Sequence, residues 1–281
     1  MLPTPSTSHV AFERIYEPAE DSFLLLDTLS SESEKDFLRQ TFSSVGPRED
    51  EQENKNNRNN HGNDSSSATQ PLSPSPLVVE IGTGSGVVIS FINAHAEVLF
   101  GRADILTAGV DINHYACEAT RETVQIAARE QQTGHGKQVH GIYLGSIVGD
   151  LLTPLRAGIV DVLVFNPPYV PTEDLPSPPP VALESNLVPS FEDDSHLLSL
   201  SYAGGVDGME TTDRLLDSLP MILNKDRGCA YILLCAQNKP ETVKQRIRNW
   251  GREWQVEMVG SSGKKAGWEK LQIIRIWRNT V

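Results

Sequence analysis

Cysteine is scarce in this chain. Cys117, Cys229 and Cys235 are the only three, an odd number with no Cys-x-x-Cys pair. That excludes a disulfide framework and a cysteine-built zinc site, and reduced thiols fit a cytoplasmic or nuclear setting. No apolar run is long enough to span a bilayer, and the N-terminus carries no signal-peptide pattern, so no membrane association is expected. Positive charge is in deficit: 24 Lys and Arg stand against 37 Asp and Glu, a formal net charge of −13. Non-specific binding to a nucleic acid duplex needs clustered cations, so nucleic acid is not the expected partner. The small basic cluster at 239–248 reads as a solvated helix face. The apolar fraction, 38%, is low for a chain of 281 residues, so part of the length is not core.

Two segments account for that shortfall. Residues 43–76 are rich in Asn, Ser, Pro and charge and have little to bury, so disorder is expected there. Residues 173–200 are Pro-rich and then acidic, which predicts a long loop or a partly ordered lid. The rest alternates and reads as one domain over 1–281. Residues 18–29 open with Pro18 and early acids, a helix start. Strands are predicted at 77–82, 105–111, 141–150, 159–166, 229–236, 254–260 and 271–277. Helices are predicted just after Gly86 and at 114–129, 207–223 and 240–250. In 114–129, Ala116, Thr120, Thr123 and Ala127 share a face. The pattern implies an α/β fold with a mostly parallel sheet, helices on both faces and an antiparallel edge at the C-terminus.

The run Glu80-Ile81-Gly82-Thr83-Gly84-Ser85-Gly86 follows a buried strand and precedes a helix. Such a loop lets a ligand approach the backbone closely. A P-loop would need a lysine that is absent. A dinucleotide fingerprint would need glycine where Val87 stands. The spacing is the one used for S-adenosylmethionine, which has no pyrophosphate to cradle. Asp111 ends the next strand and can accept hydrogen bonds from both ribose hydroxyls. Asp150 follows the third strand and is placed to face an adenine amino group, with Leu151 against the ring. Each acid alone would also serve as a helix N-cap.

Asn166-Pro167-Pro168-Tyr169 follows the fourth strand. Methyl transfer from a sulfonium is an in-line displacement, so the acceptor nitrogen must be held with its lone pair aimed at the methyl. The Asn166 oxygen and the Pro167 carbonyl suit the two N–H groups of an amide or exocyclic amine. The prolines stiffen the turn, and Tyr169 can stack on a flat acceptor. No strong base is required, because the proton can leave once the nitrogen is cationic.

Taken together, EIGTGSG, Asp111, Asp150 and FNPPYVPT resemble the class I amino-methyltransferases with an NPPY motif and their Rossmann-like sheet. YEPAEDSFLLLDTL (16–29) and AGGVDGMETTDRLL (203–216) are similar to the HemK-like family that methylates release-factor glutamine, in its eukaryotic and archaeal branch. The likeness covers nearly the whole chain apart from 43–76 and 173–200. It implies the glutamine of the GGQ motif in the eukaryotic peptide-chain release factor as substrate. It implies cofactor contacts by Ser22, Glu80, Gly82, Gly84, Asp111, Asp150, Leu151 and Asn166, with Asn166 also holding the substrate. It also implies a small zinc-binding activator protein, forming a heterodimer by adding a strand beside the sheet. Residues 98–110 are either the docking strand for that partner or core. Lysine or DNA-adenine methylation, or a non-catalytic scaffold, are the alternatives. The acidic chain lacks a basic target-recognition region, and a scaffold needs neither Glu80 nor the NPPY turn.

Overall fold

Strands that are continuously apolar must be covered on both faces, and among the described residues 162–165 and 229–234 are of this kind. In the computed structural model, which describes residues 2–43, 73–132, 140–177, 190–263 and 270–279, the strands are β1 (Leu77–Ile81), β2 (Leu106–Asp111), β3 (Ile142–Val148), β4 (Val162–Phe165), β5 (Cys229–Leu234), β6 (Trp254–Ser261) and β7 (Gln272–Arg278). They form one sheet in the order β3-β2-β1-β4-β5-β7-β6. β3 through β5 pair in parallel, and β7 runs antiparallel between β5 and β6. Side chains along β4 and β5 alternate between two cores. Val162, Val164, Tyr231 and Leu233 enter one, and Leu163, Phe165, Ile232 and Leu234 the other. The period-2 geometry of a strand thus splits a uniform apolar run between two helical layers.

The first layer holds α1 (Glu20–Ser30), α2 (Glu32–Phe42), α3 (Val87–Ala94) and α4 (Ala96–Phe100). α5 (His114–Gln132) packs on α3 through buried Ala116, Thr120, Thr123 and Ala127, the face expected from the sequence. α7 (Glu210–Ile222) and α8 (Pro240–Arg248) cover the second face. α2 is fixed to the sheet by a buried ion pair, Glu34 to Arg275 at 2.6 Å, with Tyr231 Oη donating to Glu34 at 2.8 Å. The Arg275 guanidinium lies between Phe37 and Trp277, 3.8 and 4.6 Å from their ring centroids.

The structure corrects three sequence expectations. First, 98–110 is not an edge strand. Val98–Phe100 belong to α4, Gly101 ends it at φ 71°, and β2 is paired on both sides, so among the described strands the edge on this side of the sheet is β3, with β6 at the other. Its side chains Ile142, Leu144, Ile147 and Val148 are 45–58% exposed. Secondly, 173–200 is not all loop. α6 (Phe191–Tyr202) starts there on a capping box, in which Ser190 and Asp193 exchange hydrogen bonds. Three acids in its first turn favour the same helix terminus. Thirdly, the helix expected over 207–223 begins only at Glu210, because Asp207 and Gly208 adopt φ 55° and 68° in a preceding 3-10 turn. Of the disorder expected over 43–76, residues 44–72 lie outside the described residues, as do 178–189 of the loop. Residues 73–76, in contrast, are ordered by bonds from Arg102 to Ser73 Oγ at 2.8 Å, from Ser75 Oγ to Asp104 at 2.8 Å and from Leu106 N to Pro76 O at 2.9 Å. None of the described helices is long and apolar enough to cross a membrane.

Candidate active site

The chain leaves β1, builds outward through β2 and β3, and returns to β4 on the other side of β1. This reversal opens a crevice at the carboxyl ends of β1 and β4, where ligands bind in open α/β sheets. Register brings the two sequence motifs together: Ile81 is opposite Phe165, so the glycine loop and the NPPY turn leave the sheet side by side. A Cβ on Gly82 would lie 3.9 Å from the Asn166 carbonyl oxygen. The crevice encloses about 650 Å³. Ser22, Glu80, Gly82, Gly84, Asp111, Asp150, Leu151, Asn166, Pro167, Pro168 and Tyr169 all line it.

The glycine loop turns through left-handed conformations at Gly82, Gly84 and Gly86, with φ 67°, 51° and 78°. Gly86 is also required by packing, since a Cβ there would stand 2.5 Å from the Thr120 Cα of α5. Glu80 accepts from the Ile89 backbone N–H at 2.9 Å and so caps α3. Asp111 accepts from Gly84 N at 3.0 Å and from Asn113 N at 2.8 Å. Glu80 thus serves as a cap, whereas Asp111 braces the glycine loop and α5 is capped by Asn113, whose Oδ1 accepts from Tyr115 N at 3.0 Å. Burial holds both carboxyl groups above their ordinary range: Glu80 is shifted well up, with the charge of Asp111 adding to the effect, and Asp111 is raised against the pull of the Gly84 and Asn113 amides. Buried carboxylates of this kind suit a ligand that brings its own donors, and S-adenosylmethionine offers ribose hydroxyls and an ammonium. The residues present fit that group. Asp150 lines the same crevice with its carboxylate bonded to Arg214 of α7.

At the acceptor end Asn166 Oδ1 is buried and has no hydrogen-bond partner. An unmet buried acceptor costs about 1–3 kcal/mol. Pro167 and Pro168 bring no N–H, so the turn is held from outside. Val170 N bonds to Tyr202 O at 3.0 Å, and Gly204 N to Val170 O at 2.8 Å. The glycine-rich segment 203–208 therefore has a structural reason: a Cβ at Gly204 would overlap the Pro168 carbonyl oxygen, and one at Gly208 that of Tyr169.

Sequence reasoning did not find Asp21. It is 3% exposed and lines the crevice. One of its oxygens receives both the Tyr16 hydroxyl at 3.1 Å and the Tyr169 hydroxyl at 3.3 Å. The other accepts from Ser22 N at 2.6 Å and Ser22 Oγ at 3.2 Å. The signal was present in YEPAEDSF as an acid in the first turn of a helix, which reads equally as a dipole effect. α6 roofs the crevice through Leu197 and Leu200, and a paired contact of Arg14 with Asp194, at 3.1 and 3.2 Å, ties it to the N-terminal segment.

No protein-family profile matches the chain. Among characterised sequences it is 32% identical to the eRF1 methyltransferase catalytic subunit mtq2 of Schizosaccharomyces pombe, over 100% of this chain and 99% of that protein. It is 30% identical to methyltransferase HEMK2 of Mus musculus, over 98% of this chain and 96% of that one. A putative protein N5-glutamine methyltransferase of Methanocaldococcus jannaschii is 26% identical over 94% of this chain and 92% of its own length.

Proposed function

Because the chain belongs to the HemK-like family of protein-glutamine methyltransferases, we propose that it methylates the side-chain nitrogen of the GGQ glutamine in the eukaryotic peptide-chain release factor. The cofactor is S-adenosylmethionine, which supplies an electrophilic methyl group on a sulfonium. The observation that carries the substrate reading is the unpartnered, buried Asn166 Oδ1 beside the glycine loop. A carboxamide N–H would satisfy it, and the Pro167 carbonyl is the second acceptor for the same nitrogen. Two acceptors fix both N–H bonds, which leaves the lone pair directed along one line. They also stabilise the positive charge that develops on nitrogen as the new bond forms. The Tyr169 ring supplies a flat wall for the amide, and α6 limits water above it.

The β3 edge supports a partner protein. Exposed apolar side chains on an unpaired strand are an association liability unless covered, and strand addition covers them. We infer that the small zinc-binding activator joins there, forming a heterodimer.

The test incubates the chain, its activator and cofactor with the release factor and measures the GGQ peptide by mass spectrometry. One added methyl on glutamine is expected. Asn166→Ala should abolish it while preserving the thermal shift produced by S-adenosylmethionine. Normal methylation by Asn166→Ala would refute the acceptor assignment.

A further inference from the structure

We propose that Asn238 is a positioning residue for methyl transfer, acting through the carbonyl end of the Asn166–Tyr169 turn. The proposal rests on reading that turn as the acceptor site. Asn238 ends a 3-10 turn (Ala236–Asn238) that follows β5, and it is 2% exposed. It does not line the crevice, so it can influence the acceptor only through other groups. Its side-chain oxygen accepts from Cys235 N at 2.7 Å, which fixes which end of the amide is the donor. The Nδ2 group then faces three carbonyl oxygens: Tyr169 at 3.1 Å, Asp207 at 2.9 Å and Gly208 at 3.2 Å.

The need for such a donor follows from the sequence of the turn. Pro167 and Pro168 have no N–H, so the turn has no backbone ladder of its own across these positions. Its position is set by what donates to its carbonyls and by what it abuts. Gly204 and Gly208 lie so close to the carbonyls of Pro168 and Tyr169 that neither could carry a Cβ. The 203–208 segment is therefore the floor of the turn. Asp207 and Gly208 are held in left-handed conformations, which fixes where their carbonyls point. One amide group thus joins the floor to the turn, and both to the end of β5. Without it, three carbonyls lose a shared donor, and the turn can move on its floor. A displacement of about 1 Å at a reacting group can cost on the order of 100-fold in rate.

The test compares Asn238→Asp, Asn238→Ala, Asn166→Ala and Glu34→Ala in the full chain. Methyl transfer to the release factor is followed with the activator present, and S-adenosylmethionine affinity is measured separately. Asn238→Asp keeps the volume and turns the donor into an acceptor against three oxygens. Asn238→Ala removes the group and serves if the aspartate variant does not fold. Glu34→Ala breaks the buried pair with Arg275 outside the crevice and controls for lost stability. The expected result is a kcat lowered by roughly 10- to 100-fold in the Asn238 variants, with cofactor affinity unchanged. Glu34→Ala should melt lower and retain its kcat.

A parental kcat in the Asn238 variants beside a dead Asn166→Ala would overturn the proposal and leave the acceptor reading standing. A parental kcat in Asn166→Ala would overturn the acceptor reading itself. Equal losses of kcat and cofactor affinity in the Asn238 variants would mean general loosening and count against positioning. So would failure of both to fold while Glu34→Ala folds.

Discussion

The hydrogen bond from Tyr169 to Asp21 couples the first helix to the acceptor turn, and its contribution can be worked from the geometry. Tyr169→Phe keeps the ring and its packing and removes only the hydroxyl. Asp21→Asn keeps the volume and retains an oxygen for Ser22, but removes the charge that both tyrosines bond. A hydrogen bond to a buried carboxylate contributes about 1.5–3 kcal/mol. At 3.3 Å this one is long, so the lower end, about 1.5 kcal/mol, applies. Tenfold in rate corresponds to about 1.36 kcal/mol, so each single variant should lower kcat roughly tenfold. Asp21→Asn also perturbs the Tyr16 bond, but the Tyr169 bond is common to both variants, so the double variant should lose no more than Asp21→Asn alone rather than the product of the two losses. The assay is steady-state methylation of the release factor at saturating cofactor for the parent, both singles and the double. Additive losses in the double variant, or parental rates in both singles, would refute the coupling.

Two further outcomes follow from buried ionisable groups. Glu80 and Asp111 bind protons more readily folded than unfolded, so the stability they contribute is present below the unfolded values of 4.5 and 3.8 and is lost as pH rises through the folded ones. At pH 7 the neutral isosteres Glu80→Gln and Asp111→Asn should therefore raise the melting temperature of the free protein. The same variants should lose the cofactor-induced stabilisation, which for the parent at a hundredfold excess over Kd is about 2.7 kcal/mol. A lower melting temperature in both free variants would contradict this. His95 is held below 6.5 by burial, and its ring nitrogen lies 2.8 Å from the Pro3 carbonyl. Its contribution is fully present above pH 6.5 and is lost as pH falls through the lower folded value. Urea titrations between pH 5 and 7.5 should show the parent losing stability relative to His95→Gln on acidification.

The sequence by itself determined what rests on short-range chemistry. Short β-branched runs bounded by turn signals read as strands buried on both faces, and their alternation with helices sets the sheet type. Glycines at 82, 84 and 86 and the two prolines after Asn166 constrain the local backbone whatever surrounds them, so both halves of the crevice were legible as motifs. The capping box at Ser190 was equally local and was obscured only by the prolines before it.

Tertiary structure decided what depends on pairing between distant residues. Asp21 meets Tyr169 across 148 positions, and Asn238 meets it across 69. Neither acid nor amide carries a pattern that would single it out, because its role lies in the partner. The β3 edge of the sheet was decided in the same way. Segments 105–111 and 141–150 are both short and apolar, and which of them lies outermost depends on the strand order. That order exposes Ile142, Leu144, Ile147 and Val148 and buries Val110. The floor beneath the acceptor turn was likewise invisible, since the glycines at 204 and 208 are required by carbonyls of a segment more than thirty residues earlier in the chain.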